Sequence, residues 1–250
     1  MSDTIRRNIL LNPGPATTTD SVKYAQVVPD ICPREKEFAS IMTPLRSDLV
    51  RVVHGDTDEY TTVLFCGSGT ICMDVVLNSL LDNDKRALVI NNGSYSQRAC
   101  DVLDAYGMPY IELRQPVDAL PDLDVIEEAL RNNPDVGYVY MTFHETGSGL
   151  LNPAREVGAL AHSYNTLFIT DTTSAYAMIP INVYEDNIDF CMASAQKGIQ
   201  GMTGLSYVIG RRDIIEASRS YPVRSYYCNL YMQYKYFEHA DCTNFASQIL

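Results

Sequence analysis

The feature that most constrains the fold of this 250-residue chain is the alternation of short apolar runs with stretches of helical periodicity. Between the runs, apolar residues recur at helical spacing, as at Met73, Val76 and Leu80. Strands that alternate with helices in this way usually pair in parallel, so the pattern predicts an α/β fold with a mainly parallel sheet flanked by helices. The predicted strands are Thr62–Cys66, Ala87–Asn91, Val136–Thr142, Leu167–Thr170, Phe190–Ser194 and Ser206–Gly210.

The composition excludes several classes of partner. The formal net charge is −12 and the basic residues are spread along the chain, which argues against nucleic-acid binding. The amino terminus is polar, and no apolar run approaches the roughly 20 residues that a membrane helix needs. The 7 cysteines show neither CxxC nor Cys/His spacing, which favours reduced thiols over a metal site. We therefore expect a cytoplasmic protein without nucleic-acid, membrane or metal partners.

The segment Cys66-Gly67-Ser68-Gly69-Thr70 lies directly between a predicted strand and a predicted helix. Its glycines let the backbone approach an anion, and the free amides at the helix start attract one. The hydroxyls of Ser68 and Thr70 add further donors. The segment has neither the lysine of a Walker A loop nor the full GxGxxG spacing, so a phosphate cradle and an ordinary tight turn both remain open.

A single acid, Asp171, follows the strand Leu167–Thr170. Ligands of open α/β sheets bind at the carboxyl ends of the strands, so this carboxylate is expected to face a cleft. In a pyridoxal enzyme such an acid pairs with the protonated ring nitrogen of the cofactor. The alternative at this point is that Asp171 caps a helix.

A single lysine, Lys197, closely follows another predicted strand and precedes a segment with two glycines, Gly198 and Gly201. A lysine that forms a Schiff base needs a lowered pKa and open space on one side, although a lone lysine is more often a surface residue. What favours a chemical role is the order of the motifs, because the cradle, the acid and the lysine each follow a different strand. Tyr95, in the turn after Ala87–Asn91, either stacks on a planar ligand or faces solvent.

Several segments of the chain resemble the class V aminotransferases, which are fold-type I pyridoxal-phosphate enzymes, and among them the transaminases of 2-aminoethylphosphonate. The resemblance runs to about Glu238 and implies a large cofactor-binding domain at residues 21–250, preceded by an amino-terminal arm at residues 1–20. It also implies that the small carboxy-terminal domain of the family is absent or truncated. The matching segments are Leu10–Thr18, Cys32–Phe38, Gly67–Thr70, Asn92–Tyr95, Glu145–Pro153 and Ser194–Gly204.

Carried over by position, the resemblance implies the contacts of the cofactor, pyridoxal 5'-phosphate. Lys197 corresponds to the lysine that forms the Schiff base, and Asp171 to the acid that pairs with the pyridine nitrogen. Ser68, Gly69 and Thr70 correspond to the residues that hold the phosphate.

The resemblance also implies two further cofactor contacts and three substrate-binding positions. Tyr95 corresponds to the aromatic residue that stacks on the ring, and Thr146 lies near the position that meets the pyridoxal hydroxyl. Asn12, Gly14 and Arg34 correspond to substrate-binding positions. The implied reaction moves the amino group of 2-aminoethylphosphonate to pyruvate, gives phosphonoacetaldehyde and L-alanine, and takes place in a homodimer.

Two other functions remain open at this stage. Another class V aminotransferase, such as the alanine–glyoxylate type, would keep the cofactor and change the substrates. A truncated relative would bind the cofactor without turnover, since the small domain that supplies an arginine for the substrate carboxylate is not recognised in the chain.

Overall fold

The structure, a computed structural model, describes residues 8–239, and it consists of one large sheet covered by helices. A short 3-10 helix, Ser218–Ser220, follows the α-helix Arg212–Ala217. The α-helices are α1 Asp20–Tyr24, α2 Lys36–Val52, α3 Gly69–Ser79, α4 Ser94–Ala105, α5 Leu123–Asn132, α6 Ala154–Ser163, α7 Arg212–Ala217 and α8 Leu230–His239. The strands are β1 Tyr60–Cys66, β2 Arg86–Asn91, β3 Tyr110–Arg114, β4 Val136–Thr142, β5 His144–Glu145, β6 Leu150–Leu151, β7 Leu167–Asp171, β8 Phe190–Ser194 and β9 Leu205–Arg211.

Seven strands form the main sheet, in the order β1-β9-β8-β7-β4-β2-β3. Only β9 runs antiparallel to its neighbours, β1 and β8, and the other pairs are parallel. The predicted α/β fold with a mainly parallel sheet is therefore confirmed. The carboxyl ends of β1, β8, β7 and β4 lie along the same edge of the sheet, which is where open α/β sheets bind ligands.

The core explains why the strands read as continuous apolar runs. Strands β7 and β8 are buried along almost their whole length, because the helices that connect the strands cover the faces of the sheet. Helix α3 packs against β8 and β9 and is apolar nearly all round, as a helix enclosed by other elements should be. Its packing fixes the position of the turn that precedes it.

The sequence missed one strand of the main sheet. Strand β3 pairs only with β2, at the edge of the sheet, and is half-buried. Its sequence, Tyr-Ile-Glu-Leu-Arg, alternates apolar and charged residues and therefore lacks the continuous apolar run of the inner strands. No helix in the described part of the chain combines the length and apolar character of a membrane span.

Candidate active site

The turn between β1 and α3 forms a cradle at the amino terminus of a helix. Gly67 has a φ of 149°, a left-handed conformation that favours glycine. The turn is held from behind, because the Gly67 amide donates to Gly204 O (2.9 Å) and the Ser206 hydroxyl donates to Gly67 O (2.9 Å). The first amides of α3 lack intrahelical acceptors, as at any helix start, and can therefore bind an anion.

Two hydroxyl side chains approach the cradle at Gly69, one from the turn after β7 (Thr173) and one from the last residue of β8 (Ser194). A Cβ atom on Gly69 would lie 3.3 Å from Thr173 Oγ1 and 3.5 Å from Ser194 Oγ. The buried Ser194 hydroxyl has no hydrogen-bond partner among the described residues. A buried polar group without a partner is costly, so this hydroxyl fits a bound anion that supplies the missing acceptor.

Asp171 is the last residue of β7, and its side chain is buried. Its Oδ1 accepts a hydrogen bond from the Thr173 amide (2.8 Å). Burial raises the pKa of the Asp171 carboxyl, while the bonds from Thr173 and the positive charge of Arg98 oppose that shift. A cationic group placed against this carboxylate would stabilise its charged form.

Lys197 lies just beyond the end of β8, where the amino-terminal arm meets it. Its Nζ donates a hydrogen bond to Pro13 O (3.2 Å), and the neighbouring Gly14 packs against the same side chain. The backbone after Lys197 also runs close to another loop, because a Cβ on Gly198 would lie 2.1 Å from Tyr176 O. Glycine at position 198 therefore permits a close approach that any other residue would prevent.

Tyr95 lies in the first turn of α4, and Arg98 follows it on the same face of the helix. The guanidinium carbon of Arg98 lies 4.9 Å from the centroid of the Tyr95 ring, a cation–π geometry. The same guanidinium donates to Thr70 Oγ1 (3.0 Å). Arg98 therefore connects the aromatic residue to the cradle.

These groups surround one cavity of about 160 Å³. Six of the lining residues were predicted from the sequence, namely Ser68, Gly69, Thr70, Tyr95, Asp171 and Lys197. Five others were not predicted, namely Met73, Arg98, Thr173, Ser194 and Gln196, although Gln196 stands directly before Lys197 in the chain. Proximity to the motifs was the only signal that could have found them.

Four residues named from the sequence are not part of the cavity lining. Gly14 reaches the site through its contact with Lys197, whereas Asn12, Arg34 and Thr146 do not line the cavity. Their roles stay predictions. Phe143 is buried, while the adjacent His144 bonds through Nδ1 to Ser174 Oγ (2.9 Å).

The fold is similar to those of solved aminotransferases. An alanine–glyoxylate aminotransferase from Nostoc sp. superposes with a TM-score of 0.89 at 22% identity, over 100% of this chain and 66% of that one. An aspartate aminotransferase from Thermus thermophilus gives a TM-score of 0.85 at 20% identity, over 97% of this chain and 67% of that one. These likenesses establish the fold-type I aminotransferase fold.

Curated relatives are more similar in sequence. A bifunctional phosphonoacetaldehyde hydrolase/aminoethylphosphonate transaminase of Clostridioides difficile (strain 630) is 37% identical, over 85% of this chain and 34% of the relative. A 2-aminoethylphosphonate–pyruvate transaminase of Lysinibacillus sphaericus (strain C3-41) is 31% identical, over 90% and 61%. The chain thus spans less than two thirds of the length of these relatives.

The family model described as aminotransferase class-V matches residues 19–240, which is most of the chain. It includes the cradle, Asp171 and Lys197, the three features that the sequence placed in order and that the fold brings to one cavity. The chain belongs to the class V aminotransferase family.

Proposed function

We propose that the protein binds pyridoxal 5'-phosphate in this cavity and transfers the amino group of 2-aminoethylphosphonate to pyruvate. The products are phosphonoacetaldehyde and L-alanine. The observation that carries the proposal is the convergence of Lys197, Asp171 and the Ser68–Thr70 cradle on one cavity. An amine, a buried carboxylate and an anion cradle are the three groups that this cofactor requires.

The residues present fit the cofactor that class V aminotransferases use. Its phosphate matches the amides and hydroxyls at the start of α3, together with the unpartnered hydroxyl of Ser194. Its protonated ring nitrogen matches the carboxylate of Asp171, whose buried position disfavours an unpaired charge. Tyr95 offers a ring on the same cavity for stacking.

When bound, the cofactor supplies an electron sink that weakens the bond from the substrate carbon to its proton. Lys197 would hold the cofactor covalently through Nζ. The same amine would serve as the general base and acid that moves the proton of the substrate carbon. The carboxylate of Asp171 would hold the ring nitrogen in its protonated form.

The choice of 2-aminoethylphosphonate is supported by the relatives, whose names include this substrate at 31% and 37% identity. The cavity is consistent with anionic ligands, because Arg98 adds a guanidinium to the ammonium of Lys197. No comparable observation favours glyoxylate as the acceptor, since the similar alanine–glyoxylate enzyme is only 22% identical.

The proposal includes a homodimer. Met178 and Ile199 are exposed at 65% and 41% and lie beside the Lys197 segment, where a second copy could cover them. Sedimentation of the purified protein tests this part. The cytoplasmic location and the boundary between residues 20 and 21 stay predictions from the sequence.

Cofactor binding is tested by titrating the purified protein with pyridoxal 5'-phosphate and following the visible absorption band. Reduction with borohydride should make the attachment of the cofactor permanent, so that the peptide containing Lys197 gains the mass of the cofactor. The Lys197→Ala variant should lack this adduct. Absence of the band in the unmodified protein would sink the proposal.

The substrates are tested by a coupled assay for alanine formed from 2-aminoethylphosphonate and pyruvate, run beside Lys197→Ala. A panel that replaces the donor by alanine and the acceptor by glyoxylate separates the alanine–glyoxylate reaction. Cofactor binding without turnover on any pair would instead identify the chain as a binding relative.

A further inference from the structure

Glu145 is a fully buried carboxylate that no part of the proposed reaction uses. It lies on β5, 50 residues after Tyr95 of α4 in the sequence. Its carboxylate nevertheless covers the amino terminus of that helix. Its Oε1 accepts from the Tyr95 amide (3.2 Å), and its Oε2 accepts from the Ser96 amide (3.2 Å) and from Ser96 Oγ (3.4 Å). A carboxylate at this end of a helix is stabilised by the free amides and by the helix dipole.

Glu145 takes the capping role that the side chain of the N-cap residue of α4 would normally have. The N-cap residue is Gly93, which has no side chain with which to cap the helix. A Cβ on Gly93 would lie 2.2 Å from Glu145 Cγ and 2.3 Å from Glu145 Cδ. Glycine at position 93 therefore makes room for the carboxylate, and the two residues function as a pair.

The bonds of Glu145 join two parts of the site. On one side they fix the backbone of Tyr95, whose ring lines the cavity and lies under the Arg98 guanidinium. On the other side, Glu145 is followed directly by Thr146 in the hairpin of β5 and β6. One buried charge thus holds the start of α4 and this hairpin together.

We propose that Glu145 is a positioning residue that sets the Tyr95 ring for the cofactor. The inference rests on the proposed function, because it assumes that the ligand of the cavity is pyridoxal 5'-phosphate. Loss of the charge should let the first turn of α4 shift, and the ring would then no longer stack well. The free energy that a hydrogen bond to a charged group contributes corresponds to about a tenfold change in affinity.

The test is a double-mutant cycle on the dissociation constant of the cofactor. Glu145→Gln should raise this constant about tenfold when Tyr95 is present and far less when Tyr95 is replaced by alanine, since coupled residues are not additive. The circular dichroism of the bound chromophore should fall in Glu145→Gln as well. Glu156→Gln, which changes an exposed glutamate of α6, serves as the matched control and should alter neither reading.

An equal increase in both Tyr95 backgrounds would overturn the inference and leave Glu145 with a purely structural role. Melting of the cofactor-free variants shows whether they fold, and Glu145→Asp replaces Glu145→Gln in the same cycle if the glutamine variant does not. The aspartate keeps the charge on a side chain that is shorter by one methylene, so it should raise the dissociation constant in the same Tyr95-dependent way but by less. Failure of the unmodified protein to bind the cofactor would contradict the proposed function itself, so the two failures are distinguishable.

Discussion

The Nζ of Lys197 donates a 3.2 Å hydrogen bond to the carbonyl oxygen of Pro13, so the amino-terminal arm contacts the proposed cofactor lysine directly. The next residue, Gly14, closes the contact, because a Cβ there would lie 2.5 Å from Lys197 Cδ and 2.6 Å from Nζ. The arm therefore packs closely against the lysine side chain, with no space for a Cβ atom at position 14. This relationship gives the first prediction.

Gly14→Ala should slow the covalent reaction with pyridoxal 5'-phosphate by about tenfold, since strain at such a position costs about 1–3 kcal/mol. The added methyl group would displace the lysine, and the φ of 137° at Gly14 is unfavourable for alanine. The rate at which the absorption band appears measures the effect. Gly107→Ala is the control, because Gly107 has a φ of 62° with nothing within 4 Å of the added methyl group. An equal rate in Gly14→Ala and the unmodified protein would contradict the prediction.

Ser194→Ala should weaken cofactor binding and leave the cofactor-free protein equally stable or more stable. The buried hydroxyl has no partner among the described residues, so its removal costs nothing until the phosphate is present. We expect the dissociation constant to rise about tenfold. Titration and thermal melting measure the two effects.

Tyr207→Phe is the matched control for this variant. The buried Tyr207 hydroxyl also has no partner in the described part of the chain, but it does not line the cavity. Its removal should leave cofactor affinity unchanged. A lower melting temperature of cofactor-free Ser194→Ala would show that its hydroxyl has a structural partner instead.

Arg46→Ala should destabilise the fold by about 3 kcal/mol, because it breaks a buried ion pair. The guanidinium of Arg46 donates to Thr62 O (2.7 Å) and Thr61 Oγ1 (2.7 Å) and pairs with Glu238 on α8. These bonds attach α2 to both β1 and α8. Urea denaturation of the cofactor-free protein gives the free energy of unfolding.

The control on the same helix is Arg51→Ala. Arg51 pairs with Asp48, and both side chains are largely exposed, so the expected loss is below about 1 kcal/mol. Similar losses for the two variants would show that burial of Arg46 does not matter.

His162 should stabilise the protein in a pH-dependent way. Its Nε2 lies 2.8 Å from Asp189 Oδ2, and this hydrogen bond raises the pKa of His162 above the ordinary value of 6.5. The folded state therefore favours the protonated imidazole. The stabilisation is complete below about pH 6.5 and is lost as the pH rises through the raised pKa.

The measurement is the melting temperature of the unmodified protein minus that of His162→Gln, at about pH 6 and at about pH 9. The difference should be larger at the lower pH. His54→Gln is the control, since His54 is exposed and forms no salt bridge with another described residue. A difference that does not vary with pH would contradict the role assigned to the Asp189 contact.

The sequence predicted the inner strands well, because burial on both faces demands continuous apolar runs. Strand β4, for example, lies at Val136–Thr142 as predicted. The edge strand Tyr110–Arg114 was not predicted, because it is half-buried and carries charged residues. The chemical motifs were recognisable for a similar reason, since Asp171 and Lys197 stand where strands end.

What the sequence by itself determined is therefore the α/β fold, the family, and the three motifs that follow separate strands. Only the tertiary structure brought Ser194 to the cradle, Arg98 onto Tyr95 and Glu145 to the start of α4. Local periodicity depends on residues close together in the chain and is visible in one dimension. The approach of Glu145 to Tyr95 depends instead on how β4, β2 and α4 pack, and no local pattern records that distance.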